Sequence, residues 1–194
     1  MKNKTEQRGF TLVELMIVIS ILGIIAAIGS TSLLNFLPTM RLKSATRDVF
    51  STMMQAKVEA IRRGENVTIR FNPPLTPYAP ADARIPLNSY VMFIDNGAGG
   101  GVANDEIING TEPMLGPATV LPDRVTFDPA VSGDGVSFFA DAMVFSSRGI
   151  PVPADGGLIL PVNETVGLRS IDSLGNTMGQ RTIVASNAGR INMP

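Results

Sequence analysis

Glu14 stands alone in a long apolar segment, and no other residue of the chain sets so clear a chemical problem. A carboxylate inside a membrane-spanning helix costs roughly 2.5 to 3.5 kcal/mol on insertion scales, so it calls for a positively charged partner. The other candidate chemistries are thinner. Ser146-Ser147-Arg148-Gly149 offers a serine nucleophile, yet the chain has no His to activate it, and a strand-and-turn role accounts for the pattern. Asp95, Asn96, Asn104, Asp105 and Glu106 gather oxygen ligands around glycines as calcium loops do. Their spacing misses the EF-hand template, and a solvated hairpin loop is the competing reading. Asp123, Asp128, Asp134 and Asp141 would serve a membrane-tethered enzyme only if they shared a cleft that shifted their pKa values. With no Cys and no His, the chain lacks disulfides, thiolate metal sites and the usual neutral-pH base. Neither a cofactor nor a metal is expected.

The elements that must hold Glu14 follow from hydropathy. Leu15 to Met40 contains no charged residue, more than the roughly 20 apolar residues that cross a bilayer. A cleaved secretory signal would place a small-residue cleavage site after its apolar core, whereas here the polar leader precedes the core and Ala26-Ala27 lies inside it. Lys2, Lys4 and Arg8 before the span are matched by Arg41, Lys43 and Arg47 after it, so flanking charge leaves the orientation open.

Beyond the span, Leu42, Ala45, Val49, Met53, Ala56, Ala60 and Ile61 recur mostly at three- and four-residue spacing, predicting an amphipathic helix that packs on the remainder of the chain. Lys43, Arg47, Lys57, Glu59 and Arg62 fall mainly on its other faces. Arg62-Arg63-Gly64 is a helix end, with cations suiting the negative dipole and glycine the left-handed cap. Pro38 between span and stripe predicts a kink or local melting within one long helix. Short β-branched or aromatic runs then predict strands at Val67–Phe71, Ser89–Ile94, Arg124–Phe127, Val136–Phe139, Met143–Phe145, Gly157–Leu160 and Arg181–Ala185. The prolines of Asn72 to Pro86 and the glycines of Gly97 to Gly101 predict surface excursions.

Charge divides along the chain. From Arg41 to Arg63, six basic residues face two acidic ones, a net +4. Beyond Gly64, seven Arg face thirteen carboxylates, a net −6. An acidic head argues against nucleic acid as a partner, because nonspecific affinity depends on basic side chains displacing counterions. The basic helix face suits a solvated position beside a membrane, phosphates or an acidic partner.

Arg8-Gly9-Phe10-Thr11-Leu12-Val13-Glu14-Leu15 resembles the processing site of type IV pilins and type II secretion pseudopilins. The resemblance implies a prepilin peptidase that cuts between Gly9 and Phe10 on the cytoplasmic side and methylates the new Phe10 amine. It also implies a periplasmic head, and a Glu14 that directs assembly by pairing with the N-terminus of a neighbouring subunit. Val144-Phe145-Ser146-Ser147-Arg148-Gly149-Ile150-Pro151, Arg181-Thr182-Ile183-Val184-Ala185-Ser186 and Gly189-Arg190-Ile191 are similar to the head of GspH/FimT-type minor pseudopilins and pilins. Ala56 to Gly64 is similar too, although Lys57-Val58 replaces the more usual Arg-Ser. The segment from about Asn72 to Pro117 is not matched closely and is specific to this chain. Gly189-Arg190-Ile191-Asn192 lacks the second basic residue of the motif associated with DNA binding in some FimT-type pilins.

The expected protein is an α+β, pilin-like subunit. A cleaved leader (1–9) precedes a transmembrane and assembly helix (10–40) and a periplasmic head (41–194) that includes the amphipathic helix 41–63. Ser146, Arg148, Gly149, Pro151, Gly189 and Arg190 are expected to be structural in the head. The function implied is that of a non-enzymatic minor subunit near the tip of a type II secretion pseudopilus or type IV pilus. Its implied partners are other pilin or pseudopilin subunits, with hetero-assembly favoured over a homo-filament, the prepilin peptidase and the inner membrane. A FimT-like DNA-binding or adhesive tip pilin is the alternative.

Overall fold

The computed structural model of the protein describes residues 10–75, 85–98, 108, 111–138, 141–152 and 163–194, the side chains of helix residues 27–35 excepted. The chain divides into two compact units, Met1–Leu37 and Pro38–Pro194. A single helix, α1 (Leu12–Arg63), contributes to both. It remains helical through Pro38, so of the kink or local melting expected there, the melting does not occur. One missing backbone donor in a helix this long leaves most of its hydrogen-bond ladder intact. The expected span from Leu15 to Met40 passes through residues 27–35, whose side chains lie outside those described. Among the described residues no helix is long and apolar enough to cross a membrane.

The second unit is α+β. Leu42, Ala45, Val49, Met53, Ala56 and Ala60 are all buried, so the expected stripe of α1 is the helical side of the core. Ile61 departs from it and is 52% exposed, because the adjacent Ala60 already takes the inward position. Two antiparallel sheets complete the core. The first comprises β1 (Val67–Asn72), β2 (Ser89–Ile94), β3 (Thr119–Val120), β5 (Ala142–Phe145) and β6 (Pro151–Val152), in the order β3-β2-β1-β5-β6. The second comprises β4 (Val125–Phe127), β7 (Glu164–Ile171), β8 (Thr177–Ala185) and β9 (Ile191–Asn192), in the order β4-β7-β8-β9. Phe71 on β1 joins the sheets: its ring lies 6.1 Å from Phe127 edge-on and 6.1 Å from Phe138 in a stack.

The strands of the first sheet alternate between two buried faces. Tyr90, Met92 and Ile94 belong to the main core, whereas Val91 and Phe93 face a second apolar cluster with Ile85 and Ile108. Described residues on either side of β2, Ile85 before it and Ile108 and Met114 after it, therefore cover this face. Backbone bonds from Ile94 N to Pro113 O (3.0 Å) and Leu115 N to Met92 O (2.8 Å) pin the chain around Met114. The Asn72 amide also donates to the carbonyls of Ile85 and Pro86 at 2.9 and 3.1 Å.

Two strand expectations need correction or placing. Val136 makes only an isolated bridge to Val166 within a turn-rich stretch, so the expected strand from it does not form among the described residues. Gly157–Leu160 lies outside them. The second sheet depends instead on β7, an unexpected strand with Gly167 at its centre. A Cβ at Gly167 would come within 2.6 Å of Val131, because the 128–135 turn lies directly on the strand. Asp128 N donates to Gly167 O (2.9 Å) and Gly167 N donates to Gly135 O (2.8 Å), fixing that close approach.

Candidate functional site

At the start of α1, Thr11 is the helix cap. Its hydroxyl accepts from the Glu14 amide at 3.2 Å and its carbonyl from the Leu15 amide at 3.2 Å. Thr11-Leu12-Val13-Glu14 thus has the residue types of a capping box. Glu14 lies in the first turn, where the helix dipole favours a negative charge, and its side chain is exposed. Around it Phe10, Leu12, Val13, Leu15, Met16 and Ile17 are exposed as well, Phe10 at 81%. Every face of this turn is apolar except for one carboxylate. Ser20 satisfies its own hydroxyl by donating to Met16 O at 2.7 Å. Gly9 lies outside the described residues.

In the head, the structure brings two turns together. Between β5 and β6, Gly149 N donates to Ser146 O (2.7 Å) and Ser146 N to Ile150 O (3.0 Å). Between β8 and β9, Gly189 N donates to Ser186 O (2.9 Å) and Ser186 N to Arg190 O (2.8 Å). The two turns share one design, Ser-x-x-Gly with the glycine at positive φ, 71° at Gly149 and 76° at Gly189. They are the ends of different sheets, and α1 closes them into one junction. Lys57 Nζ donates to Gly189 O at 2.8 Å. A Cβ at Gly149 would meet Ile61 Cδ1 at 2.6 Å, and one at Gly189 would meet Gly149 O at 2.8 Å. Pro151 is buried against the same junction, while Arg148 and Arg190 are exposed on the turns. Nearby on the helix, Glu59 accepts from Arg62 (2.7 Å) and Arg63 (2.9 Å). The bonds from these two guanidinium groups, those of Arg62 first, hold its carboxyl below the ordinary carboxylate value.

Residues 45–189 match the family model described as type II transport protein GspH, and residues 4–30 match the prokaryotic N-terminal methylation motif. The chain belongs to the GspH family. Among solved structures, the minor pseudopilin EpsH from the type 2 secretion system of Vibrio cholerae is similar, at 12% identity and a TM-score of 0.49 over 79% of this chain and 96% of that one. The type IV minor pilin FimU of Pseudomonas aeruginosa is similar at 18% identity and a TM-score of 0.46, over 82% and 92% of the two chains. No curated protein matches.

Within this GspH-family head, three of the four carboxylates weighed for an enzyme have structural partners. Asp123 is exposed and pairs with Arg41 at 3.1 Å. Asp128 and Asp134 accept from the amides two residues on, Ala130 at 3.1 Å and Val136 at 3.0 Å. Asp141 is buried and takes a positive φ of 56° before β5. The calcium expectation is only partly in view. Asn96 accepts from Ala98 N (3.1 Å) and Glu112 from Gly97 N (2.9 Å); Asp95 is buried. Asn104, Asp105 and Glu106 lie outside the described residues. Among the described residues no group of three or more His, Cys, Asp or Glu side chains is placed to hold a metal. Two structural residues escaped the sequence reading: Thr11, visible as the first residue of Thr-x-x-Glu, and Lys57, for which the repeated Ser-x-x-Gly was the available signal.

Proposed function

We propose that the chain is a minor subunit of an envelope filament, a type II secretion pseudopilus or type IV pilus, that assembles through its N-terminal helix. In this reading residues 1–9 are the leader removed by a prepilin peptidase, 10–40 anchor the protein in the inner membrane, and 41–194 form a periplasmic head placed near the filament tip. The observation that carries it is the first turns of α1, exposed and apolar on every side with one carboxylate at the start. A helix apolar all round needs apolar surroundings. A membrane supplies them before assembly and neighbouring helices supply them afterwards. Glu14 then pairs with the N-terminal amine of an adjacent subunit, which sets the axial register of docking. Pairing with its own chain's amine, one turn away, is the competing arrangement.

In-membrane crosslinking of Glu14→Ala and Glu14→Val tests this. Both should insert and be processed, yet lose most incorporation into filaments or into complexes with other minor subunits. Normal incorporation of both variants would show that this carboxylate does not direct assembly. A DNA-binding or adhesive tip subunit is the second reading, and it is supported by the exposure of Arg148 and Arg190 on the adjoining turns. Retardation of duplex DNA that is lost in Arg148→Gln/Arg190→Gln would favour it.

A further inference from the structure

One cluster of charge is used neither by the fold nor by the assembly reading. Lys43 and Arg47, one turn apart on α1, join Arg181 of β8 and Met193 in lining an open cleft of about 180 Å³. The two helix cations are exposed and Arg181 is half-buried. Among the described residues none of the three is in an ion pair or side-chain hydrogen bond, whereas Arg41, Arg62 and Arg63 each have a carboxylate partner. No carboxylate of the described residues lines the cleft. Cations converging without a counter-charge repel one another, and an anion between them would reverse the sign of that interaction. Two guanidinium groups and an ammonium suit the oxygens of a phosphate, with Arg offering paired donors and Lys a point charge.

The position of the cleft along the helix bears on which anion it suits. Met40, the last residue of the uncharged segment, is exposed at 49%. At 1.5 Å rise per residue, Lys43 and Arg47 follow it by about 4.5 and 10 Å along the axis. The headgroup layer on each side of a bilayer's hydrocarbon core is about 5 to 7 Å deep, so with Met40 at the core's edge Lys43 falls inside it, while Arg47 starts just beyond it and meets it through its long side chain. We propose that this cleft binds the phosphate of an anionic phospholipid headgroup and so docks the head on the membrane surface before assembly. The inference rests on the membrane-anchored reading of the N-terminal helix. Met193 adds an apolar contact to the cleft's lining.

The test uses the full chain reconstituted in phosphatidylcholine vesicles with or without phosphatidylglycerol, with bound lipid counted by native mass spectrometry. Phosphatidylglycerol should be retained in preference to phosphatidylcholine. Arg47→Gln/Arg181→Gln should reduce that preference about 30-fold, at the value typical for two cations beside an anionic surface. Arg62→Gln/Arg63→Gln, with the same change in charge, should leave it intact, and Arg47→Lys/Arg181→Lys should restore part of it. Thermal melting of Arg47→Gln/Arg181→Gln within the range of the parent shows that it folds. Equal retention of the two lipids, an undiminished preference in Arg47→Gln/Arg181→Gln, or tighter binding of duplex DNA than of phosphatidylglycerol vesicles would overturn the proposal. Saturation by inorganic phosphate without any lipid preference would also overturn it, by assigning the cleft to free phosphate. Release of the chain from membranes by alkaline carbonate would sink the anchor reading instead, so the two failures are distinguishable.

Discussion

Replacing Gly189 by alanine should destabilise the head far more than the same change at Gly175, although both glycines have positive φ, 76° and 85°. At Gly175 an added Cβ meets nothing within 4 Å, so only the left-handed backbone is penalised, at about 1 kcal/mol. At Gly189 the Cβ would lie 2.8 Å from Gly149 O. That oxygen is main chain, in a turn tied by the 2.7 Å bond from Gly149 N to Ser146 O, so it has little room to move. Overpacking of this kind costs roughly 1 to 3 kcal/mol, bringing the total to about 2 to 4 kcal/mol. For a domain of this size, each kcal/mol lowers Tm by about 2 to 4 °C. Gly189→Ala should therefore melt roughly 5 to 15 °C below the parent and Gly175→Ala only about 2 to 4 °C below it. Tyr90 is buried beside Phe71, so near-UV circular dichroism of the full chain in detergent follows the head and not the N-terminal helix. Equal melting of the two variants would refute the tight junction, because it would show that the β5–β6 turn yields freely to a methyl group.

Three further outcomes check neighbouring claims. Lys57→Met, which strips the charged donor from Gly189 O, should cost roughly 1.5 to 3 kcal/mol; Lys57→Arg should recover most of it, and a loss in Lys57→Met/Gly189→Ala equal to the sum of the single losses would show that they do not share one junction. The Glu59 pKa is lowered first by its Arg62 bond and then by Arg63, so its contribution is present above the ordinary value and lost as pH falls through the lowered one. The Tm gap between the parent and Glu59→Gln should accordingly narrow on acidification below about pH 4, and a gap that widened there would reverse the assigned sign. Intact-mass analysis of membrane-extracted protein should find a chain starting at methylated Phe10, and Gly9→Val should retain residues 1–9; persistence of the leader in cells with active peptidase would defeat that reading.

Much of the fold was legible because its strongest signals are periodic. The α1 stripe has inward positions spaced for a helix, and all six from Leu42 to Ala60 are buried. β1, β2, β4 and β5 are short apolar runs between turn residues, and each forms within a residue of its expected start and end. β7 was not legible for a reason that lies in its neighbours. Glu164, Thr165, Gly167, Arg169 and Ser170 dilute its apolar signal, and glycine in a strand normally weakens it. Here glycine is required because the 128–135 turn occupies the space of a side chain. That is a tertiary fact, and a local window does not contain it.

The head motif was legible as residue types but not as a device. Ser146 to Pro151 and Ser186 to Arg190 lie about forty residues apart in sequence, and each reads alone as an ordinary turn. Their shared role appears only when the ends of two different sheets close on the last turns of α1. Lys57 was placed on the outer face of the helix by periodicity, which describes where a Cα points but not how far a long side chain reaches. Its four methylenes carry the ammonium back to Gly189 O, 132 residues away. The junction needs one cationic donor on one carbonyl, and the Lys57 ammonium delivers it from outside the buried stripe.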